Sequence, residues 1–435
     1  MEDGSVDGEA GGLDRRAFLR RAGWGVGAVA AAGPLAGALS SCEGLPLVGR
    51  SPDVVVVGAG AFGGWTAYHL QRMGAQVTLV DLYGPGNTRS TSGDETRGIR
   101  TSYGDKELWV DWANRAIERW KAFDEEWARE LGGPVFFSAG DLTLRPEMDD
   151  SLEATCATWD RLEVPYEILT PDEVSHRWPA FNVEDYGVGV LETNAGIGKS
   201  RLACRVVAEA FQREGGELRI GRASLGEGSG GRLHELTLDP EGSVGGEHFV
   251  LALGPWFPKA FPELWDDKLR LSMGQVAYFA TPPGETAFDH PNLPTFNVPG
   301  TTGWPNLPPD PYGFRVRTSG RGEVSRDPDT SERWFSDEYL ETARALLAQN
   351  LPAMADQPVV KTHACHYEHT PDREWIIDRH PDWENVWFAG GGSAEGFKFG
   401  PVLGEYIAAR VLGDDPHPEL AERFRRVKEE EPTDS

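Results

Sequence analysis

A chain of 435 residues with 42 Lys and Arg against 69 Asp and Glu carries a formal charge of −27 at pH 7. That excess excludes nucleic acid and anionic membrane surfaces as partners, because both repel it. A hydrophobic content of 39% with 15 Trp excludes a disordered chain and is enough for two domains around a large core. Cys42, Cys156, Cys204 and Cys365 show no C-x-x-C spacing, so neither a metal site nor a disulfide framework is implied. Cys156 and Cys204 read as small core residues.

Residues 14–20, DRRAFLR, place Arg15 and Arg16 ahead of Phe18 and Leu19, and an Ala- and Gly-rich run follows from Ala22 to Leu39. The run is short and Gly-rich for a membrane span of about 20 apolar residues and fits a removable signal better. It resembles a twin-arginine export signal, and Leu39-Ser40-Ser41-Cys42 resembles a lipobox. These resemblances imply export to the periplasm or cell surface, with a membrane link only through a lipid on Cys42. Residues 1–42 are expected to be the signal, and 43–52, with Pro46 and Pro52, a tether.

Residues 53–81, DVVVVGAGAFGGWTAYHLQRMGAQVTLVD, are the stretch that the rest serves. Val54 to Val57 predict a strand buried on both faces. Gly58, Gly60 and Gly63 follow at G-x-G-x-x-G spacing and open a helix to about Gly74, and a second strand, Val77 to Val80, ends on Asp81. Gly58 suits the tight turn, Gly60 lets a pyrophosphate approach the backbone, and Gly63 lets helix and strand pack closely. The helix N-terminus offers N–H donors to phosphate, and an acid roughly 20 residues on, here Asp81, accepts from a ribose. Strand, helix, second strand and acid together point to a bound dinucleotide, FAD or NAD.

Next comes LYGPGNTRSTSGDETRGIRTSYGD, ending at Asp105, rich in Gly, Ser and Thr and carrying Arg89, Arg97 and Arg100. Spaced arginines on small residues suit a loop that wraps a cofactor and holds an anion beside it. Ser90, Gly93, Asp94, Thr96, Arg97, Arg100, Tyr103 and Gly104, with one extra residue at Glu95, resemble the S-x-x-G-D-T-R-x-x-R-x-x-Y-G stretch of the monomeric sarcosine oxidase and N-methyltryptophan oxidase group of D-amino-acid-oxidase-like flavoproteins. The resemblance implies FAD along this loop, touching Ser90, Thr96 and Arg97, and Arg100 reaching a substrate carboxylate.

Residues 106–131 read as a long amphipathic helix, with Trp109, Trp112, Trp120 and Trp127 packing the core. PVFFSAGDLTLR, 134–145, alternates as strands, and LTPDEVSHRWPAF, 169–181, starts a capped helix. Residues 194–214 read as a turn and helix, 225–246 as exposed hairpin turns, and HFVLALGPW, 248–256, as a buried strand that resembles the family's return to the cofactor domain. GQVAYF, 274–279, and YGFRVR, 312–317, read as strands, and the Pro-rich stretch 281–311 between them as a lid or entrance loop. Arg315 stands where the resemblance implies a lysine that helps dioxygen react; arginine keeps the charge but is bulkier and does not deprotonate.

Cys365 precedes Tyr367 and Thr370-Pro371-Asp372 in a segment resembling the family's C-x-Y-x-x-T-P-D, which implies a covalent bond from Cys365 to the flavin and a place for Tyr367 in the site. His363, His366 and His369 form a spaced cluster, but a strand is read as sending His363 and His369 to opposite faces and no carboxylate pattern accompanies them, so no metal is expected. A strand from Asn385 to Phe388 leads into AGGGSAEGFKFGPVLGEYIA, 389–408, where Gly390, Gly391 and Gly392 precede a helix whose N-terminus suits negative charge on a reduced cofactor. By the resemblance, Gly396, Phe397 and Lys398 belong to the cofactor site and Lys398 also pairs the substrate carboxylate, while Glu395 replaces a histidine. A carboxylate there points to a substrate with an extra cationic group.

The resemblance implies a GR2-type FAD-binding Rossmann-like domain, of residues 53–126, 190–272 and 357–413, with a second α+β substrate domain of mixed sheet, 127–189 and 273–356, and a peripheral charged tail, 414–435. It implies oxidation of an amino acid or N-alkyl amine by hydride transfer to flavin N5, giving an imine that hydrolyses. Arg100 and Lys398 would clamp the carboxylate, and dioxygen would accept the electrons. The alternatives are a dehydrogenase passing electrons to a quinone or carrier protein, and a lipoprotein that binds FAD or a ligand without turnover.

Overall fold

The computed structural model describes residues 52–426 except 241, 266–267, 319–320 and 323–326. The expected export signal, lipobox cysteine Cys42 and most of the tether, and the end of the tail, therefore lie outside the described residues.

The strand Asp53–Val57 is the middle of a six-stranded sheet. It pairs in parallel with Gln76–Asp81 on one side and His248–Leu251 on the other. Glu217–Ile220 extends the sheet beyond Gln76–Asp81, and Val386–Gly390 beyond His248–Leu251, both parallel; Ile376–Arg379 closes that edge antiparallel. Burial of the four valines on both faces accounts for their unbroken apolar run. The helix Ala61–Arg72 makes the first crossover. Gly400 and Gly404 let the helix Gly396–Val411 press against it, since a Cβ on either would come within 2.5 Å of Trp65. The helix Glu107–Phe123 runs on through a π-helical turn, Asp124–Ala128, to Leu131, which fits the expected span. Trp109, Trp112 and Trp120 are buried in the same core and Trp127 packs against it. Cys156 and Cys204 are buried as well.

The second sheet has nine strands. Arg270–Phe279 pairs antiparallel with both Phe314–Thr318 and Val359–His369. The Pro-rich stretch is not a lid: its residues Thr295–Val298 and Thr301–Trp304 form a hairpin inside this sheet, between Phe314–Thr318 and Asp141–Arg145. The sheet is mixed because Thr295–Val298 runs parallel to Asp141–Arg145 while its other partner is antiparallel. Sheet membership also moves the domain boundaries. Val188–Glu192 and Val359–His369 hydrogen-bond into the nine-stranded sheet, so 190–272 and 357–413 do not belong wholly to the first domain. On Val359–His369, His363 and His369 lie an even number of residues apart and share a face, with His366 on the other; the expected opposition of His363 and His369 is corrected.

PVFFSAGDLTLR divides at Gly140, whose φ is 72°. Phe136–Ser138 joins Arg97–Ile99 and Gly196–Gly198 in a three-stranded sheet, and Asp141–Arg145 enters the large one. Thr170 caps the helix Pro171–Arg177 with a capping box to Glu173, as its sequence indicates. Residues 225–246 are hairpins, but Leu236 and Leu238 are buried in the core beside Phe249. The tail is not peripheral through 426: Leu420 and Phe424 are buried in the main core, and Ile377 N–H donates to the Phe424 carbonyl.

Candidate functional site

A groove of about 570 Å³ opens at the carboxyl end of the central strand. Its volume and position match a ligand crevice at the strand ends of an open α/β sheet. Gly58, Gly60, Asp81, Ser90 and Gly390 line it. Gly58 has φ 105°, and a Cβ there would sit 2.2 Å from the Ala252 carbonyl oxygen. Gly63 does not line the groove; it allows the helix to touch the turn, since its Cβ would meet the Gly58 carbonyl at 1.9 Å. Gly60 is different, because a Cβ there meets nothing nearer than the Ser92 hydroxyl at 3.7 Å. The space over Gly60 is the cradle that a pyrophosphate needs, above the first turn of Ala61–Arg72. Asp81 accepts hydrogen bonds from the amides of Ala59, at 2.7 Å, and Tyr83, at 2.9 Å, which hold the acid at the rim where a ribose would lie. These residues fit FAD.

A second, smaller cavity of about 70 Å³ shares a wall with the groove, formed by Ala61, Phe62, Thr91, Ser92 and Glu368. Arg97, Tyr367, Glu395, Gly396, Phe397 and Lys398 complete it. Lys398 is buried on the first turn of Gly396–Val411, and its ammonium contacts Glu395 and donates to the Tyr103 hydroxyl at 2.6 Å. That hydroxyl donates in turn to Glu395 at 2.8 Å, so the three groups close a triangle. Burial pushes the Glu395 carboxyl up, but the charges of Lys398 and Arg100 outweigh it and hold the pKa at about 2. Arg100 donates to the Ser102 hydroxyl and lies 4.0 Å from the Asp141 carboxylate. Trp120 N–H donates to the Lys398 carbonyl at 2.9 Å and stacks on Phe397, which fixes this end of the helix. Ser393 and Ala394, just before Glu395, both hold positive φ, at 47° and 68°. Strained backbone of this kind collects at binding sites.

Cys365 is buried on Val359–His369, with Arg97 Nη2 at 3.6 Å from its sulfur. Burial raises the Cys365 thiol pKa, but a hydrogen bond from His363 and the Arg97 charge bring it below the ordinary value. Gly391 has φ 70° and a Cβ there would press on Thr370. Besides Gly63, five of the expected site residues line neither cavity: Arg100, Cys365 and Gly391, described above, and Thr96 and Arg315. Thr96 accepts from Trp304 Nε1 at 3.0 Å and pairs with the Tyr278 hydroxyl at 3.2 Å, between the sheets. Arg315 is buried against Asp94 at 3.2 Å, with Trp304 stacked 4.2 Å from its guanidinium carbon.

Sequence reasoning gave no role to four carboxylates. Asp94 bridges Arg97 and Arg315 and accepts from Tyr278 at 2.8 Å. Asp141 stands beside Arg100. Glu192 is fully buried and accepts the Thr101 amide at 2.9 and 3.0 Å; burial raises its pKa to about 8. Glu368 lies in the wall between groove and cavity, accepting from the Gly392 amide at 3.3 Å and the Thr91 hydroxyl at 3.2 Å. Asp94 was visible inside the arginine loop; the other three carry no local signal.

Comparison with known proteins agrees with this geometry. The sequence profile of the DAO family, described as FAD dependent oxidoreductase, matches residues 53–410. Monomeric sarcosine oxidase from Bacillus sp. (strain B-0618) is 27% identical over 376 residues, covering 83% of this chain and 92% of that one. N-methyl-L-tryptophan oxidase from Yersinia pestis (strain Pestoides F) is 26% identical over 373 residues, covering 84% and 96%. Among solved structures, L-proline dehydrogenase from P. horikoshii superposes with a TM-score of 0.74 at 18% identity, covering 87% and 97%, a likeness of fold.

Proposed function

The chain belongs to the DAO family of FAD-dependent oxidoreductases, and from that premise we propose that it oxidises an amino acid or secondary amine whose carboxylate is held by Lys398 and Arg100. FAD, when bound, supplies the acceptor for the hydride that leaves the carbon beside the amine nitrogen. The chain's own part is binding and orientation. Lys398 and Arg100 fix the carboxylate, and the small cavity beside the cofactor groove keeps water away while the C–H bond is aimed. The resulting imine hydrolyses in water.

The observation that carries this reading is a buried lysine facing a cavity that shares a wall with the dinucleotide groove. A cation in that place is costly unless it meets an anion. In the free protein Glu395 is that anion. A substrate carboxylate that takes Lys398 releases the Glu395 carboxylate toward the rest of the substrate. The reading therefore includes a preference for substrates with a second cationic group, which Glu395 then pairs. The test compares an N-methyl amino acid with its methyl ester, which keeps the amine and removes the anion. The ester is expected to lose about 10- to 100-fold in kcat/KM, the value of a charged hydrogen bond at about 1.5–3 kcal/mol. Equal rates would contradict the clamp.

A second reading has a specific observation behind it. Arg315 is tied to Asp94, covered by Trp304 and lines neither cavity. That favours a dehydrogenase, passing electrons to a quinone or carrier protein. A thiol pKa lowered by His363 and Arg97 at Cys365 supports covalent attachment of the flavin, and the twin-arginine-like start supports export. Mass measurement of the mature N-terminus, intact or beginning at a lipidated Cys42, tests the latter.

A further inference from the structure

One acidic residue from the substrate side ties together both walls of the cofactor groove. Asp329 lies between the strand Arg321–Gly322 and the helix Asp337–Asn350. Its carboxylate accepts from the Tyr83 hydroxyl at 2.7 Å, from Trp256 Nε1 at 2.9 Å and from the Lys259 ammonium at 2.5 Å. Its carbonyl accepts from Arg89 at 2.6 Å. Tyr83, Trp256 and Lys259 all line the groove. Tyr83 follows the ribose acid Asp81 by two residues, and Trp256 and Lys259 sit on the turn and helix after His248–Leu251. The two walls are thus joined at the adenosine end. The Asp329 side chain is 13% exposed, whereas Lys259 is 39% exposed, so the knot sits on the rim with its anion turned inward. Drawing a carboxylate out of water is repaid only by donors that reach it together. Here they come from both sides of a cleft.

We propose that Asp329 is a latch that closes the adenosine end of the groove over FAD and sets how long the cofactor stays. Release of FAD requires the three side-chain bonds to Asp329 to open; binding of FAD requires the same opening. Removing the latch therefore speeds exchange. Salt weakens the Lys259–Asp329 pair, because both lie at the rim, and speeds release from the parent protein.

The test follows free-FAD fluorescence after dilution of the full-length holoprotein, with a Cys365→Ser background so that no covalent bond retains the flavin. Asp329→Asn keeps the shape and removes the charge. Its FAD release is expected to be about tenfold faster, as for loss of charge-assisted hydrogen bonds, and to lose the salt dependence. FAD binding to the apoprotein, which needs the same opening, is expected to speed up as well. Release within twofold of the parent would overturn the proposal, and so would faster release with no gain in the rate of FAD binding to the apoprotein. Should Asp329→Asn fail to fold, Lys259→Met and Tyr83→Phe remove single arms at the rim. Faster release in either upholds the latch, and parental release in both overturns it.

Discussion

Glu395 and Lys398 satisfy each other across the first turn of one helix, and Tyr103, from the far end of the cofactor loop, hydrogen-bonds to both. The lysine that would hold a substrate anion is thus occupied by an anion of the protein. Replacing Glu395 by Gln removes the competitor and also the partner for a second cation. Substrates with a basic side chain are expected to lose about tenfold or more in kcat/KM, at about 1.5–3 kcal/mol per charged hydrogen bond. Those with a neutral side chain are expected to hold or improve. Steady-state kinetics on matched pairs of N-methyl amino acids measures this, and an equal effect on both members would contradict the preference.

Asp94 answers two buried arginines, Arg97 and Arg315. Asp94→Asn leaves both without their anion and is expected to cost about 3–5 kcal/mol in denaturant unfolding, as for breaking a buried pair. Burial raises the Asp94 pKa, but the Arg97 and Arg315 charges outweigh it and hold it below the ordinary range. The sign follows: this stability is present above the unfolded pKa of about 3.9 and is lost as pH falls below it toward the folded value.

Glu192 behaves the other way. Its pKa rises from 4.5 to about 8 on folding, because the side chain is fully buried. The folded state therefore holds a proton that the unfolded state gives up, and stability falls as pH rises from about 4.5 to 8. Glu192→Gln keeps an acceptor for the Thr101 amide and has no proton to lose. Urea midpoints measured at pH 5 and pH 8 are expected to differ less for the variant than for the parent.

Cys365→Ser is expected to release all flavin when the holoprotein is denatured in acid, while the parent precipitate stays yellow. A colourless parent precipitate would exclude the covalent bond.

How much of this was legible in the sequence depends on the distance between partners. Gly58, Gly60 and Gly63 could be read because strand, turn and helix lie within one short stretch, and the structure gives each glycine a separate steric reason. Lys398 and Glu395 could be located, but their bond to Tyr103 could not, since it joins positions 295 and 292 residues apart. Arg315 carried a family expectation, and only the fold showed Asp94, 221 residues away, holding it. The stretch 281–311 misled because prolines dominate its composition, whereas its strand partners are decided by non-local hydrogen bonds. In the tail, Leu420 and Phe424 are two apolar residues among charges, too few to form a pattern, yet they are the ones that the core takes up.

The most direct test of the central claim is anaerobic mixing of the holoprotein and of Lys398→Met with a panel of N-methyl and cyclic amino acids, basic and neutral, while the visible absorbance of oxidised flavin is followed. The account predicts loss of that absorbance with at least one member, at a half-saturating concentration about tenfold or more higher for Lys398→Met. Readmitted air then separates an oxidase, whose colour returns at once, from a dehydrogenase, whose colour does not. Flavin that dithionite reduces but no member of the panel does would contradict amine oxidation at this site.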